Sequence, residues 1–216
     1  MIEAVLFDMD GLMFDTERMY QKAWLLAGQQ MGAPMRSEIV DRMRGRNRQG
    51  CTEVCREVFG PDFDFDAMRT ACRALMAQWI EEDGLPVKPG LYELLQELEW
   101  RGIPAVLATS TSRDSAWSHL QRAGVDKYFV GAVCGDEVTR SKPDPEVFLK
   151  AAALAGRDPR HCMVLEDSPA GVRAGVAAGC FTVMVPDLTQ PDAELRQLAS
   201  AIVPDLTQVI TLLETQ

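Results

Sequence analysis

The chain has 216 residues, 47% hydrophobic and 25% charged, a composition that excludes disorder and fits one large folded domain or a domain carrying an insertion. Its formal net charge of -10 argues against nucleic acid or an anionic membrane as partner, because both demand a positive footprint. Six cysteines with no C-x-x-C pair and only two histidines make a zinc site improbable, and the cysteines are expected to be reduced and packed as small hydrophobes.

Residues 1 to 7 run into an apolar strand without a basic leader, and no apolar run approaches the roughly 18 residues needed to cross a bilayer, so a cytoplasmic location is expected. The first strand, Ala4 to Phe7, stops at Asp8, Met9 and Asp10. Helical periodicity follows around Met19 to Met31, Gln49 to Phe59 and Asp66 to Ile80, with no clear strand between. Residues 15–86 therefore read as an inserted helical subdomain, and residues 1–14 with 87–216 as the core domain that carries it. The second crossing, at Val87, Lys88, Pro89 and Gly90, makes a candidate hinge.

Beyond it, helices at Leu91 to Arg101, Arg113 to Ala123, Pro145 to Ala155 and Pro169 to Ala178 alternate with strands at Ala105 to Ala108, Val130 to Cys134, Cys162 to Leu165 and Phe181 to Val185. Asp144 before Pro145 and Ser168 before Pro169 mark helix starts, and Gly102 and Gly179 mark stops. The fold class expected is α/β, a Rossmann-like parallel sheet wrapped on both faces, with an inserted α-helical domain.

Ligands of open α/β sheets bind beyond the carboxyl ends of the strands. The polar residues there are Asp8 and Asp10, Thr109 and Ser110, Lys142, and Glu166 and Asp167. Carboxylates converging on one spot repel unless a cation lies among them, and oxygen ligands favour Mg2+. Asp8 and Asp167 suit it as ligands with Glu166 assisting, while Lys142 and the Thr109 hydroxyl hold phosphate oxygens. A carboxylate beside a metal-bound phosphorus can attack in line and form an aspartyl phosphate, which is the role read for Asp8. Asp10, two residues on, is placed to protonate the leaving oxygen and later deprotonate water.

FDMDG at Phe7 to Gly11, LATS at Leu107 to Ser110, SKPDPEVF at Ser141 to Phe148 and LEDSPAG at Leu165 to Gly171 resemble the haloacid dehalogenase superfamily over nearly the whole chain. The narrower resemblance is to the branch of β-phosphoglucomutases and small-molecule phosphatases with a helical cap. It implies Asp8 as nucleophile and metal ligand, Asp10 as acid and base with its carbonyl on Mg2+, Thr109, Ser110 and Lys142 on phosphate, and Glu166 and Asp167 on the metal. In the cap, Arg44 and Arg48 belong to a basic run through Arg42 and Arg46, and Arg48 falls where β-phosphoglucomutases carry a phosphate-binding arginine. Ser112 and Arg113 are candidates for a distal anion site.

Other residues read as structural. Asp144 and Ser168 are helix caps, Gly171 and Gly175 let a helix pack closely on the sheet, and Met9, Leu12, Met13 and Phe14 pack beside the cavity. Trp24, Trp79, Trp100 and Trp117 read as core or interface packing.

Two departures bear on the reaction. Tyr20 stands where β-phosphoglucomutases usually carry a histidine, and the usual cap lysine is missing between Met68 and Glu82. A mutase must shield its phospho-aspartate from water, so the expected activity is that of a phosphatase acting on a small phosphorylated metabolite, with a sugar phosphate as the leading class, a phosphosugar mutase as the alternative and a non-catalytic regulatory module behind both. The protein is expected to be a monomer or weak homo-oligomer.

Overall fold

The computed structural model describes residues 1–43 and 48–215. The elements in chain order are β1 (Ala4–Phe7), α1 (Thr16–Gln30), α2 (Ser37–Met43), α3 (Arg48–Phe59), α4 (Phe65–Asp83), α5 (Leu91–Arg101), β2 (Ala105–Ala108), α6 (Arg113–Arg122), β3 (Phe129–Val133), α7 (Glu146–Leu154), β4 (Cys162–Glu166), α8 (Pro169–Ala177), β5 (Phe181–Met184), α9 (Ala193–Leu198), β6 (Ala201–Ile202) and α10 (Thr207–Leu213).

The six strands pair in parallel in the order β3-β2-β1-β4-β5-β6. From β1 the chain builds outward through β2 and β3, then returns to the other flank of β1 at β4. The direction of winding reverses there, which opens a crevice at the carboxyl ends of β1 and β4. On one face Ala4, Leu6, Val106, Ala108 and Val164 cluster with Phe148 and Ala151 of α7 and Ala174 of α8. The alternating residues Val5, Phe7, Leu107, Met163 and Leu165 point to the other face and are also fully buried. Both faces are covered, which is why these strands read as unbroken apolar runs.

Several boundaries differ from the sequence reading. The third strand lies one residue earlier, at Phe129–Val133. Phe129 packs edge-on to Phe7 at 5.6 Å, and Cys134 turns out of the ladder because its N–H donates to Glu137 Oε2. Helix α7 starts at Glu146 with Pro145 as its cap residue. Asp144 Oδ1 does accept a backbone N–H, from Glu146 at 3.0 Å, so it closes the turn ahead of the helix. Ser168 caps α8 as expected, accepting from the Gly171 N–H, and Gly102 ends α5 in the left-handed conformation. The unanticipated elements are α2, α9, α10 and the two-residue β6, all too short for a periodic pattern to stand out.

The chain divides into two compact units, Met1–Asp15 with Pro86–Gln216, and Thr16–Leu85. In the first unit the two crossings pair with each other: the Asp15 N–H donates to Pro86 O and the Lys88 N–H to Met13 O, both at 2.9 Å. In the second, α1 packs on α4, with Trp24 stacked on Phe65 at 5.6 Å. Trp100 is 80% exposed and so lies outside the core. All six cysteines are free, and five are buried; burial pushes the Cys72 and Cys180 thiols up to about 12. Among the described residues no helix is long and apolar enough to cross a membrane.

Candidate active site

Each strand bordering the crevice ends on a polar residue that the sheet holds in place. Asp8 follows β1, its N–H donating to Leu165 O at 3.0 Å, and Thr109 follows β2, its N–H donating to Val133 O at 3.0 Å. Glu166 closes β4 and Asp167 follows it. Asp8, Thr109, Glu166 and Asp167 are all buried despite their polarity, so each requires compensating partners.

Lys142 supplies several. Its ammonium donates to Asp8 Oδ1 at 2.5 Å, Glu166 Oε1 at 2.7 Å and Ala108 O at 3.0 Å, which occupies its three N–H donors. The remaining Glu166 oxygen accepts from the N–H and the hydroxyl of Ser168. Ser168, expected only as a helix cap, therefore also orients a carboxylate of the site. Its sequence signal was its position two residues after Glu166, at a helix start.

Two glycines make room for these carboxylates. A Cβ on Gly171 would fall 1.6 Å from Glu166 Oε1, whereas one on Gly175 would meet Thr182 and Val164. Gly175 thus lets α8 approach the sheet, as expected, and Gly171 accommodates the site itself. Gly11 has φ +85°, and a Cβ there would lie 2.3 Å from Asp167 Oδ2.

Asp8, Glu166 and Asp167 offer carboxylate oxygens that lie within 4.8 Å of one another. At that spacing, with an effective dielectric constant near 20, like charges repel by roughly 3–4 kcal/mol per pair. One ammonium cannot neutralise three carboxylates. Burial accordingly pushes the Asp8 carboxyl up to about 8, against the pull of Lys142 and with Glu166 adding to the rise. For Lys142, burial opposes the charged form, but Asp8 and Glu166 outweigh it and hold the ammonium above the ordinary lysine value. The all-oxygen donor set and the surplus negative charge fit a divalent cation of the magnesium type. A second acidic group, Cys134, Asp136 and Glu137, is structural: Glu137 is engaged by Arg113 and the Cys134 N–H, and Asp136 by the Arg113 N–H.

Thr109, Ser110 and Lys142 line one small cavity with Gly135, Val138, Ser141 and Val147. Asp10 lies beside this group through Thr111, whose hydroxyl donates to Asp10 Oδ2 at 2.6 Å. Thr111 had no part in the sequence reading, since a threonine three residues past a strand end carries no motif of its own. Arg113, a candidate for a distal anion site, is tied to Glu137 and Ala132 O. Met9, Leu12, Met13 and Phe14 are fully buried, in keeping with a packing role.

Arg48, at the start of α3, forms a two-point ion pair with Asp66 within the helical unit, both side chains largely exposed. Arg44 lies outside the described residues.

Residues 2–179 match the family described as haloacid dehalogenase-like hydrolase. The chain is 32% identical over 178 residues to a phosphorylated carbohydrates phosphatase of Thermotoga maritima, covering 82% of each chain. It is 30% identical over 193 residues to a beta-phosphoglucomutase of Bacillus subtilis, covering 85% of this chain and 83% of that one. Among solved structures it resembles a HAD family hydrolase from Deinococcus radiodurans with bound phosphate and sodium, at TM-score 0.79 and 27% identity, covering 99% of this chain and 96% of that one.

Proposed function

The chain belongs to the haloacid dehalogenase-like hydrolase family, and from that premise we propose a magnesium-dependent phosphatase that hydrolyses a small phosphorylated metabolite, with a sugar phosphate as the leading substrate class. The observation that carries the reading is the position of Asp8: a buried carboxylate at the end of the central strand, within 4.8 Å of Glu166 and Asp167 oxygens and bridged to Glu166 by Lys142. A carboxylate so placed is suited to be a nucleophile whose charge is controlled by its neighbours.

Asp8, Glu166 and Asp167 would hold the magnesium ion, together with the Asp10 carbonyl that the family resemblance adds; when bound, the ion neutralises phosphate charge that the protein's own cations leave uncompensated. Thr109, Ser110 and Lys142 orient the substrate phosphate. An Asp8 oxygen forms a bond to phosphorus as the bond to the leaving oxygen breaks, and Asp10 gives that oxygen its proton. In the second step water adds to phosphorus, Asp10 takes the water's proton, and the bond to Asp8 breaks to release phosphate and restore both carboxyl groups. Substrate selection is assigned to the helical unit Thr16–Leu85 acting as a cap, through Arg44 and Arg48.

The similarity to a beta-phosphoglucomutase supports a second reading, in which a sugar phosphate instead of water accepts the phosphoryl group. Tyr20 in place of the usual histidine and the absence of a lysine between Met68 and Glu82 favour water. The test is phosphate release across sugar phosphates, nucleotides and phosphorylated acids with magnesium, alongside product analysis with β-glucose 1-phosphate. Release from a sugar phosphate that vanishes in Asp8→Asn is expected. Isomerisation without comparable release would establish the mutase, and release unchanged in Asp8→Asn would overturn the nucleophile.

A further inference from the structure

Asp10 does not stand alone beside the site. Thr111 Oγ1 donates to its Oδ2 at 2.6 Å, within the range of charge-assisted hydrogen bonds from a hydroxyl to a carboxylate. Thr111 is itself pinned from two sides. Its N–H donates to Thr109 Oγ1 at 3.0 Å, and its carbonyl accepts from the Gly135 N–H at 2.8 Å.

The local structure does not otherwise need the hydroxyl. Helix α6 takes Ser112 as its cap residue, the Ser112 hydroxyl turns to Ser115, and the Arg113 N–H is taken by Asp136. The Thr111 side chain therefore has no capping role, and its proton goes to Asp10.

We infer that Thr111 is a positioning residue: it fixes the plane of the Asp10 carboxyl and ties the proton-transfer group to the loop that carries Thr109. A hydroxyl has one proton to give and two lone pairs. Thr109 Oγ1 spends a lone pair on the Thr111 N–H, which leaves its proton for a phosphate oxygen. The same residue thus aims the hydroxyl that meets the phosphate and the carboxyl that meets the leaving oxygen. Because Thr111 binds Oδ2, the proton exchanged with the leaving group is carried by Oδ1. This inference rests on the phosphatase reading, in which Asp10 is the acid and base.

The test compares Thr111→Val, nearly isosteric but without the hydroxyl, with Thr111→Ser, which keeps it. Substrates are an alkyl phosphate that the wild type hydrolyses and p-nitrophenyl phosphate, whose leaving group departs without a proton. A misaimed acid costs most where the leaving oxygen must be protonated, so kcat/KM of Thr111→Val is expected to fall about 10- to 100-fold on the alkyl phosphate, at least ten times more than on the aryl one. Thr111→Ser is expected to restore most of the loss. Equal losses on the two substrates, no loss on either, or no recovery with serine would each overturn the inference. If Thr111→Val does not fold, as judged by thermal melting, Thr111→Ala takes its place under the same criteria. Asp8→Asn is measured beside them: turnover retained there removes the phosphatase reading and this inference with it, whereas equal losses with an inactive Asp8→Asn overturn only the role of Thr111.

Discussion

Lys142 Nζ lies 2.7 Å from Glu166 Oε1, with 7% and 1% of the two side chains exposed, and the same ammonium reaches Asp8 Oδ1. One cation therefore separates two buried carboxylates that come from different strands.

Replacing Lys142 with Met leaves those carboxylates facing each other. Removing one partner of a buried ion pair typically costs about 3–5 kcal/mol, and the metal-free Lys142→Met protein is expected to lose stability on that scale. Urea denaturation in chelator reads it directly. Phosphate release should be lost as well, because the phosphate cradle loses its buried cation.

The same cluster predicts how stability varies with pH. In the folded metal-free protein Asp8 titrates near about 8, against 3.8 for the ordinary carboxyl, so between those values the folded state retains a proton that the unfolded chain has lost. Stability from this group is complete below about pH 4 and declines as pH rises toward about 8. Melting temperature measured from pH 5 to pH 8 in chelator should fall more steeply for the wild type than for Asp8→Asn, and magnesium should flatten the wild-type slope. Parallel slopes in the two proteins would contradict the assignment.

Gly11→Ala and Gly102→Ala separate backbone strain from crowding of the site. Both glycines have positive φ, +85° and +68°, but a Cβ at Gly102 meets nothing within 4 Å while one at Gly11 strikes the Asp167 carboxylate. Gly102→Ala should cost only the left-handed backbone term, about 1–2 kcal/mol. Gly11→Ala should lose more and should also raise the magnesium concentration needed for half-maximal activity, which a metal titration of phosphate release would show.

Arg48 is held by Asp66 within the helical unit. If Arg48 reads the substrate, Arg48→Ala should raise KM about tenfold with kcat little changed, the signature of lost uniform binding, and Asp66→Ala should move KM in the opposite direction by freeing the guanidinium. A fall in kcat with KM unchanged would assign Arg48 to another step.

The core strands were legible because both faces of the sheet are buried, so Ala4–Phe7, Ala105–Ala108 and Cys162–Glu166 appear as apolar runs that end where the chain meets the crevice. The order of polar residues after those runs, with their family motifs, was enough to name Asp8, Asp10, Thr109, Lys142, Glu166 and Asp167 as one group. Strands as short as Ala201–Ile202 and helices as short as Ala193–Leu198 escaped, since two or six residues hold no period to detect.

The candidate group of Asp8, Asp10, Thr109, Lys142, Glu166 and Asp167, and the hard-cation character of its donors, were read from the amino-acid sequence by itself: oxygen donors at strand ends are a local property, written in residue type and spacing. The tertiary structure decided which atom serves which. It placed Lys142 between Asp8 and Glu166, gave the helix-capping Ser168 a second role as support for Glu166, set Gly171 against that carboxylate, and put the Thr111 hydroxyl on Asp10. Those assignments depend on distances between segments up to 134 residues apart in the chain, set by the order of strands in the sheet, and a hydroxyl or an ammonium takes its role from whichever acceptor folding brings within about 3 Å.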